Sequence, residues 1–242
     1  LSEYLKTLNS SPELIPRFER FYELLIEANQ RMNLTRITDP DEFCFKHIWD
    51  TLTLLPHIPE GTKTVLDLGT GGGIPGIPLW LARPDLEVTL LDSVVKKLKE
   101  LEKICSQLKS DFPETLTLRP DTLHQRAEDA GRDKAYREHF DLVVARAVGS
   151  LPVLLEYCLP LVKRNGVFIA MKGLHFESEM EGINQIAGLL GAKLSKVDEP
   201  VLPGDQPRSL LIFDKRSLTP KTLPRAAGVP KKNPLSNFLD AH

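Results

Sequence analysis

The first apolar positions with a clear period are Leu14, Phe18, Phe21, Tyr22, Leu25 and Ile26, at offsets of 4, 7, 8, 11 and 12 residues. This recurrence predicts an amphipathic helix of about four turns. Ser10-Ser11-Pro12-Glu13 ahead of it reads as a capping box with proline near the first helical position. A second start signal, Asp39-Pro40-Asp41-Glu42, opens a helix in which Phe45, Ile48, Leu52 and Leu55 are spaced by 3, 4 and 3 residues. Residues 1–60 are therefore expected to form a helical cap.

From Lys63 the pattern changes to short apolar runs alternating with helical stretches. Strands are predicted over 64–68, 87–91, 115–119, 140–145 and 166–171, with helices such as 94–108 and 151–162 between them. That grammar means a parallel sheet covered on both faces. Two later runs, 192–197 and 209–214, are joined by a proline-rich loop and no helix, which predicts an antiparallel pair at the sheet edge. Beyond Leu218, the prolines at 220, 224, 230 and 234 argue against regular structure. The chain divides into a cap over 1–60, an α/β domain over 61–217 and an extended tail over 218–242.

Composition narrows the class. With 41% hydrophobic and 26% charged residues in 242, the chain can bury a sizeable core, which excludes disordered and low-complexity classes. Cys44, Cys105 and Cys158 are too dispersed for a disulfide framework or a zinc site, so no metal is expected. No apolar run reaches 18 residues and the first residues lack the order of a signal peptide, so the expected location is cytoplasmic. A net charge of -2 argues against a nucleic-acid binder. Resolved by segment, however, it is -4 over 1–60, -3 over 61–207 and +5 over 208–242.

The strongest local signal is Val65-Leu66-Asp67-Leu68-Gly69-Thr70-Gly71-Gly72-Gly73-Ile74-Pro75-Gly76. Glycines directly after a buried strand let backbone approach a ligand at the carboxyl edge of a parallel sheet. Gly71, Gly73 and Gly76 satisfy the dinucleotide fingerprint, yet a carboxylate at Asp67 would repel a pyrophosphate. S-adenosylmethionine has no phosphate and carries a sulfonium and an ammonium, so Asp67 favours it over NAD. A turn without a ligand would need only one or two glycines. Asp92, followed by Ser93, ends the second strand about 20 residues on, where a carboxylate can bind ribose hydroxyls of either cofactor; a helix N-cap at the same residue is compatible with that role. Ala127 and Glu128 follow the third strand, where backbone groups can read a base, although the same residues also suit a solvated helix start. Arg146 leaves the fourth strand and needs an anionic partner, either the methionine carboxylate or a substrate phosphate. Neither an Asn/Asp-Pro-Pro-aromatic sequence nor a Pro-Cys nucleophile exists in the chain.

These motifs, together with Asn33-Leu34-Thr35, His47-Ile48-Trp49-Asp50-Thr51, the Gly76-Ile77-Pro78-Leu79 extension, Arg126-Ala127-Glu128, Arg146-Ala147-Val148, Lys172-Gly173 and the run from Pro224 to Leu235, resemble the RsmG (GidB) methyltransferases over about residues 15–235. The resemblance implies a Rossmann-like class I methyltransferase. Its sheet would be seven-stranded and mostly parallel with an antiparallel edge strand, behind an N-terminal helical cap. It implies methyl transfer from S-adenosylmethionine to guanine N7 of 16S, small-subunit ribosomal RNA by a monomer. Cofactor contacts carry over to Gly69, Ile74, Asp92, Ser93, Ala127, Glu128 and Arg146, beside the Asp67, Gly71 and Gly73 read from the loop itself. His124 and Gln125 stand where the family usually has smaller residues.

Guanine N7 carries an in-plane lone pair and needs no general base, so catalysis reduces to positioning, for which Asn33, His47, Asp50 and Arg146 are the candidates. RNA contacts are expected from Arg31, Arg36, Lys172, Arg225, Lys231 and Lys232. A small-molecule or other RNA methyltransferase, a dinucleotide-binding reductase and a non-catalytic ribosome-assembly factor stand as alternatives.

Overall fold

The computed structural model describes residues 12–173, 176–202 and 206–238. Ser10 and Ser11 of the expected capping box, and part of the proline-rich loop, lie outside them. The first helix, α1 (Leu14–Asn29), buries Phe18, Phe21, Leu25 and Ala28. The second, α2, starts where Asp39 accepts hydrogen bonds from the Asp41 and Glu42 N–H groups. It runs as an α-turn (Pro40–Phe43), widens into a π-helical segment (Cys44–Trp49), and closes with one more turn (Asp50–Leu52). The widening rotates the helix faces. Phe45 and Leu52, expected inside, are only half-buried, while His47, Asp50 and Thr51 turn inward and are buried.

Seven strands form one sheet: β1 (Thr64–Leu68), β2 (Glu87–Asp92), β3 (Asp121–His124), β4 (Phe140–Arg146), β5 (Val162–Lys172), β6 (Ala192–Asp198) and β9 (Ser209–Lys215). Their order is β3-β2-β1-β4-β5-β9-β6. A two-residue hairpin of β7 (Val201–Leu202) and β8 (Gln206–Pro207) interrupts the loop before β9. Helices α3 (Gly76–Ala82), α4 (Val95–Asp111), α5 (Ala127–Ala130), α6 (Leu151–Cys158) and α7 (Ile183–Leu189) connect the strands. The antiparallel pair does sit at the sheet edge. Within it, β9 is the strand that runs against its neighbours, one in from the edge, and β6 is outermost.

The third strand lies later than the apolar pattern predicts. Residues 115–119 form no strand; Leu116 is fully buried in the core and Leu118 is exposed, while Asp121–His124 pair with Thr89–Asp92 of β2. The run was apolar because one leucine plugs the core, not because it joins the ladder. Likewise α6 ends at Cys158, and β5 begins at Val162 through the exposed Lys163, Arg164 and Asn165.

Two hydrophobic layers cover the sheet. Phe18, Phe21, Leu25, Phe43 and Ile48 of the first two helices share one cluster with Val65, Leu90 and Leu142 of the sheet. The opposite face packs Leu66, Val143 and Phe168 with α6 and α7, and with Leu223 and Leu235 from the C-terminal segment.

That last segment is not the extended tail its prolines predict. It forms two short turns, α8 (Val229–Lys232) and a 3-10 turn (Leu235–Phe238). Polar side chains of the domain supply its missing ladder. Arg137 donates to the carbonyls of Thr219, Pro220 and Leu223, and Arg132 donates to that of Pro224. The fully buried Lys215 donates to the Leu159 and Leu190 carbonyls and to the Thr219 hydroxyl. Glu156, with no exposed surface, takes the Arg225 backbone N–H at 2.8 Å and its guanidinium at 2.9 and 2.6 Å. Arg225 also stacks over Phe238, 5.5 Å from the ring centroid.

Removing the guanidinium with Arg225→Met leaves a buried carboxylate unpaired. Urea unfolding is expected to show a loss of about 2–3 kcal/mol, less than for a fully buried pair because Arg225 keeps some solvent contact. Arg225→Met combined with Glu156→Leu should recover most of that loss.

Candidate functional site

The strand order reverses between β1 and β4, and the carboxyl ends of those strands frame a crevice, the usual ligand edge of such a sheet. The loop after β1 is organised by Asp67. Its Oδ2 accepts from the Thr70 hydroxyl at 2.6 Å and from the Gly76 N–H at 2.9 Å. Its Oδ1 is buried without a partner. Burial pushes this carboxyl up to about 6, against the pull of both hydrogen bonds. Gly76 has to be glycine because a Cβ there would fall 2.4 Å from Leu90 Cδ2 and 2.8 Å from Asp67 Oδ2. At Gly69, φ is +75° and a Cβ would meet Val148 at 2.5 Å.

Asp92 ends β2 and clamps the same loop. Its Oδ2 accepts from Gly71 N–H at 3.0 Å, and its Oδ1 from Val94 N–H at 2.9 Å at the start of α4. The N-terminal cap braces the loop from the other side. Asn29 accepts from the Leu34 and Thr35 N–H groups and donates to the Thr35 carbonyl, which fixes the Asn33-Leu34-Thr35 turn. The Leu34 carbonyl lies 2.8 Å from where a Gly72 Cβ would be. Asn33 is exposed beside it, and Ile74 is half-buried against the core.

A cavity of about 280 Å³ opens beside this loop, lined by Gly69, Asp92, Ser93, Ala127, Glu128 and, from the C-terminal segment, Lys231. The α5 turn begins at Ala127, so the N–H groups of Ala127 and Glu128 have no intrahelical acceptor. The Glu128 carboxylate is buried and accepts from the Gly228 N–H at 2.7 Å, tying the C-terminal segment to the cavity wall.

A second cavity of about 230 Å³ is lined by Asp50, Arg146, Lys172, Phe176, Glu179 and Arg208, and it shares Ala147 with the first. Ala147 holds φ +57°, a strained conformation for a residue with a Cβ. The anionic partner of Arg146 is Asp50, 3.0 Å away and buried on α2. Arg146 also donates to the Lys46 carbonyl at 2.8 Å and reaches His47 Nδ1 at 3.0 Å. The same Nδ1 lies 3.0 Å from the Lys46 carbonyl, and Nε2 lies 3.0 Å from the Thr35 hydroxyl, so the ring is held on both edges. Burial first, and then Arg146, push His47 down to about 3 and keep it neutral. The second Asp50 oxygen lies 3.4 Å from Arg208 Nε, an ion pair without hydrogen-bond geometry. Burial raises the Asp50 carboxyl, opposed by the two guanidiniums.

The structure divides the cationic candidates for RNA contact. Arg225 is neutralised by Glu156 inside the fold, and Arg31 pairs with Glu100 at 3.0 Å and Glu27 at 3.5 Å. Lys172 pairs with Glu179 at 2.7 Å while lining the second cavity. Arg36, Lys231 and Lys232 are exposed. Gln125, Tyr157, Phe176, Glu179 and Arg208 line the cavities although no motif singled out a role for them. Gln125 directly precedes the Arg126-Ala127-Glu128 motif; the others arrive from separate segments, so spacing carries no trace of them.

With this geometry in hand, comparisons place the chain. The family described as GidB: rRNA small subunit methyltransferase G matches residues 14–203. A ribosomal RNA small subunit methyltransferase G of Lactobacillus johnsonii is 41% identical over 239 residues, covering 97% of this chain and 96% of the relative. One from Acetivibrio thermocellus is 43% identical over 230 residues, covering 95% and 92%. Among solved structures, cofactor-bound Rv0187 from MTB superposes with a TM-score of 0.58 at 17% identity, covering 81% of this chain and 90% of that one. The O-methyltransferase TomG from Streptomyces achromogenes gives 0.54 at 14% identity, covering 89% and 96%. Those two share the fold, a Rossmann-like class I methyltransferase architecture. Nearly full-length identity above 40% does more: this chain belongs to the rRNA small subunit methyltransferase G (GidB) family.

Proposed function

We propose that this enzyme transfers the methyl group of S-adenosylmethionine to N7 of a guanine in 16S ribosomal RNA. One observation carries the reading: two cavities meet at Ala147, and their charges suit different ligands. Two carboxylates, Asp92 and Glu128, line the first between Arg126 and Lys231, and its glycine loop is built on the buried Asp67, so acceptors are at hand for a cationic nucleoside. In the second, Arg146, Lys172 and Arg208 outnumber Asp50 and Glu179, as a polyanion requires.

The donor set fits the cofactor. Asp67 keeps a buried oxygen without a partner, suited to the ammonium end, and each Asp92 oxygen keeps a lone pair for ribose hydroxyls. The open N–H groups of Ala127 and Glu128 suit the base. When bound, S-adenosylmethionine supplies an electrophilic methyl on sulfur. N7 brings its own lone pair, so the protein has to orient rather than deprotonate. His47 agrees with this role: held neutral and packed 3.0 Å from the guanidinium, it helps to position Arg146 instead of shuttling a proton. Asp50 and His47 thus act as positioning residues behind Arg146. The turn carrying Asn33 supports the glycine loop through Leu34.

Arg36, Lys231 and Lys232 are the exposed cations proposed to meet phosphate, in a salt-dependent contact. We assign the cap (1–60) and the C-terminal segment (218–242) to holding the RNA around a central domain (61–217), in a protein that acts as a monomer on small-subunit RNA. Among the described residues no helix is long and apolar enough to cross a membrane.

Incubation with labelled S-adenosylmethionine and unmodified small subunits, then borohydride and aniline, should cleave the labelled RNA at N7-methylguanine. Labelled RNA that resists cleavage overturns the N7 assignment. Calorimetry should find cofactor binding weakening about tenfold per pH unit below about 6, because protonating Asp67 removes the charge facing the ammonium. Asp67→Asn should bind weakly with no such pH dependence. Without ligand the sign reverses: the folded value of about 6 exceeds the ordinary 3.8, so stability contributed by the protonated carboxyl is lost as pH rises between them. Lys232→Glu should weaken RNA binding several-fold and lower its salt dependence by about one phosphate contact, with cofactor affinity unchanged.

A further inference from the structure

Gln125 leaves β3 on the loop that leads into α5 and lines the first cavity beside Asp92 and Ser93. Its amide nitrogen donates to Asp133 Oδ2 at 3.2 Å. Asp133 is itself held in its ionised form by the Ala135 N–H and by this amide, which keep its carboxyl below the usual range. A carboxylate accepts and cannot donate, so the contact fixes which end of the amide is nitrogen. The oxygen, Oε1, therefore points the other way, and it is buried without a hydrogen-bond partner. A buried amide oxygen left unpaired is unfavourable, and its natural complement is an N–H or O–H donor arriving with a ligand.

Accepting the cofactor reading above, on which this step rests, the donors S-adenosylmethionine brings are few: its ammonium, its two ribose hydroxyls and the exocyclic amine of adenine. Asp67 suits the first and Asp92 the second, one the penultimate residue of β1 and the other at the end of β2. We infer that Gln125 Oε1 accepts from the adenine amine, with Asp133 as the positioning residue that holds the amide in the reading orientation. Gln125 is then a determinant of adenine specificity in addition to the backbone groups of Ala127 and Glu128. It discriminates by its acceptor: a base with a carbonyl at that position would set oxygen against oxygen. Such a penalty exceeds the loss of a hydrogen bond, because both acceptors then stay buried and unpaired.

The test compares two products by calorimetry: S-adenosylhomocysteine and its hypoxanthine analogue, S-inosylhomocysteine, which carries a carbonyl where adenine carries the amine. The wild-type protein should bind the adenine compound at least about tenfold more tightly. Gln125→Leu should lower adenine-compound affinity and narrow the difference between the two compounds severalfold, the remainder being set by the Ala127 and Glu128 N–H groups, which meet a lone pair at adenine N1 and a hydrogen at hypoxanthine N1. Asp133→Ala, which leaves Oε1 in place but frees the amide to turn over, should reduce discrimination part of the way. It also carries the test if Gln125→Leu does not fold. A Gln125→Leu or Asp133→Ala protein that keeps full discrimination overturns the inference while leaving the cofactor reading intact. Failure of the wild-type protein to bind S-adenosylhomocysteine overturns that reading and the inference with it.

Discussion

A half-buried guanidinium at the end of a central strand dictates what surrounds it. Arg146 leaves β4 in the middle of the sheet, where desolvation opposes its charge, and only a buried counter-ion with further acceptors makes the position tolerable. Asp50, His47 and the Lys46 carbonyl provide them, and all three come from α2. The cap therefore has to lie over the sheet edge with that helix in one rotational setting. A regular α-helix through Phe45, Ile48 and Leu52 would turn its apolar side inward. The π-helical segment rotates two polar residues to the guanidinium instead. The chain then turns sharply at Ala147, whose strained backbone forms the wall common to both cavities.

The acidic residues around the site follow a second common rule. Asp67 takes the Gly76 N–H, Asp92 the Gly71 N–H, Glu128 the Gly228 N–H and Glu156 the Arg225 N–H. Each ties a loop backbone with one lone pair and leaves others for a ligand or a cation. Because the acceptors are set by the fold before any ligand arrives, little reorganisation is left for binding to drive. Electrostatics and architecture are consequently one arrangement: the carboxylates proposed to meet a cationic nucleoside are those that shape the glycine loop and anchor the C-terminal segment. Lys231 comes to line the first cavity through that anchoring.

Charge counting by segment located the basic C-terminal end but not which of its charges stay free of the fold. Arg225 contributes to the +5 of residues 208–242, yet its charge is matched inside the fold by Glu156, 69 residues earlier in the chain. Prolines misled in the same way. They remove backbone donors and so predict an irregular segment, but Arg137 and Arg132 bond its carbonyls from outside and Lys215 holds its Thr219 hydroxyl. A tertiary partner can replace a ladder that the local sequence cannot form.

Local chemistry was legible in the residues alone. The strand–glycine–helix transition at β1, the alternation of apolar runs and helices and the carboxylates on the first two strands follow from short-range sterics and periodicity, while the family motifs were read as a resemblance. The position of β3 and the face of α2 were not, because an isolated apolar run does not say whether its leucine pairs or plugs, and a widened turn has no composition of its own. Tertiary structure alone decided the partners of the buried charges. It joined Arg146 to Asp50 across 96 positions, Glu128 to Gly228 across 100 and Glu156 to Arg225 across 69. The reason is energetic: desolvation makes each buried ion demand a counterpart, and only the folded chain determines which one is within reach.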